Sequence, residues 1–220
     1  MQHSPHRYLD RGGTLAEPGP NEALEEEVVS RSEELIIRST YRLIGSKGMH
    51  RLTLQDVADS TDLSKSTVIY YFKTKENLVL TTMRWVLTQV TRRIREVISQ
   101  VGSPDDRVKA MIDTIFIDPL RNRNFYLAYT DLIEYSARSH SFKNLSMTFR
   151  SNINSMYAEV IQLGIDEGTF RVTDAEEAAA VTRAVIDGLF LQWLQETDWQ
   201  GTHATYKDTC THAVLSYLRR

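Results

Sequence analysis

TLQDVADSTDLSKSTVIYYFKTKENL, residues 53 to 78, is the stretch whose reading decides the fold. Thr53 and Asp56 stand three apart, the spacing in which a hydroxyl accepts a first-turn N–H while the acid favours the positive helix end. A helix is therefore predicted to start at residue 53. Leu54, Val57 and Ala58 give it an apolar side, and Ser60-Thr61-Asp62 stops it, because these side chains hydrogen-bond their own backbone in turns. Ser64 then caps a second helix to about Phe72, too short to hold alone and dependent on its neighbours. Val68 and Phe72 form its inward stripe. Lys65, Ser66, Thr67, Tyr70 and Tyr71 supply small donors, one cation and two phenols, a set suited to phosphate oxygens and base edges. A helical corner with an ordinary polar surface has the same composition, so the residue types alone leave both readings open.

The order of the residues narrows the choice. T-x-x-x-V-A-x(5)-S-x-x-T-x-x-x-Y-F-x-x-K-E-x-L resembles the signature of TetR-type transcriptional regulators, with FKTKENL its most characteristic segment. Upstream, Ile36, Ile37, Thr40, Leu43, Ile44 and Gly48 are similar to the family's first helix and its glycine stop. The resemblance implies phosphate contacts at Ser64, Thr67, Tyr71 and Lys75. With Thr53, Lys65, Ser66 and Tyr70 these make up the candidate DNA-binding set. Three positions depart from the family pattern. Asp62 stands at a usual Gly, and Asp tolerates a left-handed backbone better than most residues. Ser66 also stands where Gly is frequent. Ile69 replaces a frequent Tyr and can offer only apolar contact, for example to a thymine methyl.

Charge is distributed as a DNA-facing segment requires. The whole chain carries −3, yet residues 30 to 101 hold 12 basic and 7 acidic side chains, whereas residues 1 to 29 hold 2 and 6 and residues 102 to 220 hold 12 and 16. Only the segment containing the helix-turn-helix is cationic. With 220 residues, 41% of them apolar, the chain can bury a sizeable core, and it has no uncharged apolar run long enough to span a membrane and no signal-peptide pattern. A cytoplasmic protein without a membrane partner is expected. Its one cysteine, Cys210, is expected to be a buried, reduced thiol.

The expected architecture is all-α: a disordered arm over 1–29, a three-helix DNA-binding unit over 30–75, and a helical effector-binding and dimerisation unit over 76–220. Helices are predicted at about 30–47, from the Thr74 N-cap to about 101, at about 105–117 after the Ser103 cap with Pro104 at the first helical position, and at about 124–138, 142–167, 174–197 and 203–219. Asp118-Pro119, Ser139 to Ser141, Gly168 and Asp198 to Gly201 are read as the breaks between the later ones. In the helix from Thr74, the apolar side from Leu78 to Ile98 faces inward and Arg92, Arg93 and Arg95 face outward. Glu167-Gly168-Thr-Phe-Arg and Asp187-Gly188-Leu-Phe-Leu resemble the C-terminal domain of BetI-type members, a choline-linked subgroup. That resemblance implies a homodimer joined through two long helices. Tyr157, Val160, Ile161, Gly164 and Ile165, with Ala178, Val181, Val185, Gly188, Leu189 and Trp193, are candidates for that face or for burial within one subunit.

A small-molecule effector of unknown identity is expected among the aromatics of the second unit, with Met111, Phe116, Phe125, Tyr126, Tyr129 and Trp193 as candidate ligand-binding residues. Tyr135 belongs to the same concentration. Asp131 or Glu134 could add a carboxylate for a cation. No nucleotide, metal or cofactor fingerprint occurs: there is no P-loop, no G-x-G-x-x-G and no H-E-x-x-H. Catalysis is not expected. The reading is a ligand-responsive transcriptional repressor on a near-palindromic double-stranded DNA operator. A helical interaction protein of the same fold that no longer binds DNA is the alternative.

Overall fold

The computed structural model describes residues 30–219, so the expected arm over 1–29 lies outside the described residues. Among those residues there are nine α-helices and no strand: α1 (Arg31–Lys47), α2 (Leu54–Thr61), α3 (Lys65–Phe72), α4 (Lys75–Ser99), α5 (Pro104–Ile115), α6 (Pro119–Ser136), α7 (His140–Asp166), α8 (Ala175–Trp193) and α9 (Trp199–Leu218). The chain is all-α, with an N-terminal helix-turn-helix and a helical C-terminal domain.

Local chemistry sets the ends of these helices. Ser30 and Thr53 both form complete capping boxes, with Glu33 and Asp56 respectively returning a carboxylate to the cap N–H. Asp62 takes the left-handed conformation (φ 54°, ψ 24°) that closes α2, the geometry for which Gly is otherwise used. Lys73 also has positive φ, 61°, between α3 and α4, and its Nζ donates to the Tyr70 carbonyl at 2.6 Å.

Two helices start earlier than their sequence breaks suggest. Asp118 accepts the Arg121 N–H with Pro119 at the first position, so α6 begins at Pro119 rather than near 124. Asp198 likewise accepts the Gly201 N–H, so α9 begins at Trp199. A Cβ on Gly201 would stand 2.3 Å from the Asp198 carboxylate, so glycine there is part of the cap rather than a break. Helix α8 ends at Trp193, not 197.

One continuous apolar core runs from Ile36 and Ile37 in α1 through Leu78, Met83 and Leu87 in α4 to Phe190, Trp193 and Val214. Helices α7 and α8 bury much of their apolar surface against each other inside the subunit. Tyr157, Val160, Ile161, Gly164, Ala178 and Trp193 are all buried there, so these six do not form an exposed dimer face. Gly168 turns with φ +72°, and Phe170 folds back over Gly164, where an added Cβ would meet its ring at 2.1 Å. Cys210 is buried, and burial pushes its thiol up to about 12. No helix among the described residues is long and apolar enough to cross a membrane.

Candidate nucleic-acid interface and buried cavity

Helix α3 is held by two side chains and presents the others. Val68 and Phe72 are buried, whereas Lys65, Ser66, Ile69 and Tyr70 are exposed, Tyr70 to 69%. Ser64 accepts the Thr67 N–H at 3.1 Å, and its hydroxyl lies 2.7 Å from that of Ser66 and 2.8 Å from that of Thr67, clustering three hydroxyls at the helix N-terminus. Tyr71 is half-buried and packs edge-on against Tyr70. An N-terminus with clustered donors, followed by exposed phenol and apolar positions, suits phosphate and base-edge contact.

Two members of the candidate set carry structural bonds as well. The Thr53 hydroxyl accepts the Asp56 N–H and donates to the Asp56 carboxylate at 2.9 Å. That carboxylate also pairs with Lys47 at 2.6 Å, and these bonds hold its pKa down to about 2. Lys75 Nζ donates to the His50 carbonyl at 2.9 Å, stitching the start of α4 to the loop between α1 and α2. Partial burial lowers the Lys75 pKa.

A cavity of about 270 Å³ lies between α4, α5, α6, α7 and α8. Of the six candidate ligand residues, Phe125, Tyr126 and Tyr129 line it. The other three are core. Phe116 stacks on Phe190 at 4.2 Å, Trp193 donates its indole N–H to the Trp199 carbonyl at 2.6 Å, and Met111 is fully packed. Asp131 and Glu134 do not line the cavity. On a helix, residues two apart do not share a face, so Asp131 turns away from Tyr129 toward the helix-turn-helix. Its Oδ2 accepts the Met49 N–H at 2.7 Å, while the Tyr135 hydroxyl meets His50 Nδ1 at 3.2 Å and Glu134 approaches His50 Nε2 at 3.5 Å.

The wall residues that sequence reasoning missed come from elsewhere. Tyr41 reaches the cavity from α1, and burial pushes its hydroxyl up to about 12. Trp85, Gln89 and Arg93 come from α4, so Arg93, expected to face outward, is exposed yet stands on the cavity wall. From α8 come Arg183 and Asp187, one turn apart, with Arg183 Nε 3.3 Å from Asp187 Oδ2. Arg183 Nη2 also donates to the Tyr129 hydroxyl, and its guanidinium lies 5.5 Å from the centre of the Phe149 ring. Burial raises the Asp187 pKa, and the Arg183 charge opposes that rise. Two charged residues on an otherwise Ala-rich, inward-facing stripe were the available sequence signal.

Comparison with known proteins agrees with this geometry. Residues 36–82 match the family described as bacterial regulatory proteins, tetR family, and residues 104–219 match the BetI-type transcriptional repressor C-terminal family. The HTH-type transcriptional regulator BetI of Brucella canis is 25% identical over 169 residues, covering 77% of this chain and 82% of that protein. A transcriptional regulator from Saccharomonospora viridis, solved in complex with choline, superposes with a TM-score of 0.76 at 21% identity, over 84% of this chain and 94% of that one. A TetR transcription regulator from Haloarcula marismortui gives 0.74 at 25% identity, over 84% and 95%.

Proposed function

This chain belongs to the TetR family of bacterial transcriptional regulators, with a C-terminal half of the BetI type, and from that premise we propose that it is a ligand-controlled repressor acting as a homodimer on a near-palindromic operator. Residues 30–75 form the reading unit and residues 76–220 the effector-binding and dimerisation unit. Lys65, Ser66, Thr67 and Tyr70 contact the major groove, and Ser64, Tyr71 and Lys75 approach phosphates.

The observation that carries the ligand control is the double role of α6. Phe125, Tyr126 and Tyr129 line the cavity on one side of this helix, and Asp131 and Tyr135 hold the loop of Met49 and His50 on the other. Helix α1, part of the reading unit, lines the cavity with Tyr41, and α4 runs from the cavity wall, at Trp85 and Gln89, to the reading unit. Occupancy of the cavity therefore bears on α4, which packs directly against α3, and on α1 and α6, which reach it through α2 and the loop of Met49 and His50. A ligand shifts the spacing of two α3 helices only by its difference in affinity between the two arrangements. The DNA-competent spacing is about one helical turn, roughly 34–36 Å.

The surface left for a second subunit supports the dimer. Val181, Ala184, Val185, Gly188 and Leu191 follow one stripe of α8 and are all at least partly exposed, Leu191 to 47%. Nothing lies within 4 Å of a Cβ built on Gly188, which leaves room for a close helix crossing.

Sedimentation of the full chain with genomic DNA fragments at low salt tests the proposal. A defined subset of fragments carrying two chains per duplex is the expected result. Dimers that retain no duplex at any salt would instead support a helical interaction protein that has lost DNA binding.

A further inference from the structure

Within the effector reading just given, on which this inference rests, the cavity also specifies a ligand class. Arg183 is 9% exposed, and its three nitrogens are unequally used. Nε faces Asp187 and Nη2 donates to Tyr129, but Nη1 is buried and has no hydrogen-bond partner among the described residues. A guanidinium presents five N–H groups in a fixed fork, and a desolvated charged donor without an acceptor is among the costlier features a folded interior can hold. Phe149 covers one face of the group, and Asp187 and Tyr129 take two of its nitrogens. The same side chain lines the cavity, so its unfinished nitrogen lies close behind that wall.

The charge of the wall has the same sign. Arg93, Arg121 and Arg183 line the cavity against a single carboxylate, Asp187. Arg121 is partly offset by Asp118 at 3.2 Å, and Asp187 is committed to Arg183. A cationic ligand would find aromatic rings but would also meet the Arg183 guanidinium, and no free carboxylate lines the wall to receive it. By scale with benzene in a cavity of about 150 Å³, the space suits roughly ten to twelve non-hydrogen atoms.

We propose that the effector is a small monocarboxylate with an apolar body, its carboxylate accepting from Arg183 and its body lying between Trp85, Phe125 and Ile153. The carboxylate completes the hydrogen bonding of a guanidinium that the protein alone leaves unfinished. Ligands of the same length with a neutral or cationic head lack that gain.

Calorimetric titration of the full chain with octanoate, octanamide, octylamine and choline tests this. Octanoate is expected to bind at least tenfold more tightly than octanamide, and octylamine and choline more weakly still. Equal affinity for octanoate and octanamide, tighter binding of either cation, or binding of none of the four would overturn the proposal. Arg183→Met is expected to erase the preference for octanoate over octanamide, and its persistence in a folded variant would overturn the assignment. Should that variant fail to fold, Asp187→Asn serves: removing the competing carboxylate should tighten octanoate, and weaker binding contradicts the proposal. Operator release, measured separately on a selected DNA fragment, distinguishes the two readings. Octanoate that binds without releasing DNA refutes effector control and leaves the ligand class standing. Release by choline with no carboxylate binding refutes the ligand class alone.

Discussion

Replacing Asp131 with Ala cuts the bond by which the cavity helix holds the reading unit. The Asp131 carboxylate accepts the N–H of Met49, a fully buried residue, at 2.7 Å. A charge-assisted hydrogen bond of this kind contributes about 1.5–3 kcal/mol net, and its removal leaves the amide of a packed residue without its acceptor. For a chain of this size each kcal/mol moves the melting temperature by about 2–4 °C, so the variant should melt about 3–12 °C lower. Asp131→Asn keeps an acceptor without the charge and should fall between the two. Circular dichroism melts of the three proteins give the first readout. The second is the fold-change in operator affinity on adding effector, which should shrink in Asp131→Ala because α6 no longer grips the loop at Met49. A melting temperature within one or two degrees of the parent, together with an undiminished ligand response, would refute the reasoning.

Three further outcomes follow from other contacts. In a dimer, Lys75→Ala should make the salt dependence of operator binding shallower by about 1.8 log units per log unit of salt; an unchanged slope removes Lys75 from the phosphate contacts. Folding lowers the Asp56 pKa from 3.8 to about 2, so its capping and ion-pair stabilisation is complete above the ordinary carboxylate value and is lost as pH falls through about 2. The difference in urea midpoint between the parent and Asp56→Asn should therefore close over that range, and a difference that stays constant argues against the box. Gly164→Ala sets a methyl against the Phe170 ring and should cost about 1–3 kcal/mol by overpacking. Combining it with Phe170→Leu should restore part of that loss, and strict additivity would show that the two residues are not coupled.

Features governed by neighbouring residues were legible in the sequence. The caps at Thr53, Ser64, Thr74 and Ser103, the left-handed Asp62 and the inward pair Val68 and Phe72 need only the local chain, and the structure has each of them. Asp118-Pro119 carries the same cap-and-proline signature as Ser103-Pro104, and reading it as a break instead displaces the start of α6. The cavity was harder to read because its wall is assembled from five helices and α1. Phe125, Tyr126 and Tyr129 share a face by helical spacing alone, and the same arithmetic already turns Asp131 away from them. No local pattern brings Tyr41 and Trp85 to the same cavity as Arg183, since that depends on how α4 packs against α1 and α7, and α7 against α8. The buried half of the suggested dimer face shows the same limit. Periodicity gives each helix an apolar side, but only the packing shows that Ala178 and Trp193 face the core while Gly188 and Leu191 do not.

The central claim, that two copies of α3 read DNA together, is tested most directly by selecting bound duplexes from a random pool with the full-length chain. The expected result is enrichment of a near-palindrome whose half-sites lie about one helical turn apart, roughly 10–10.5 base pairs centre to centre, with enrichment abolished by Tyr70→Ala combined with Lys65→Ala. No enriched sequence at low salt, or a single unpaired half-site, would contradict it.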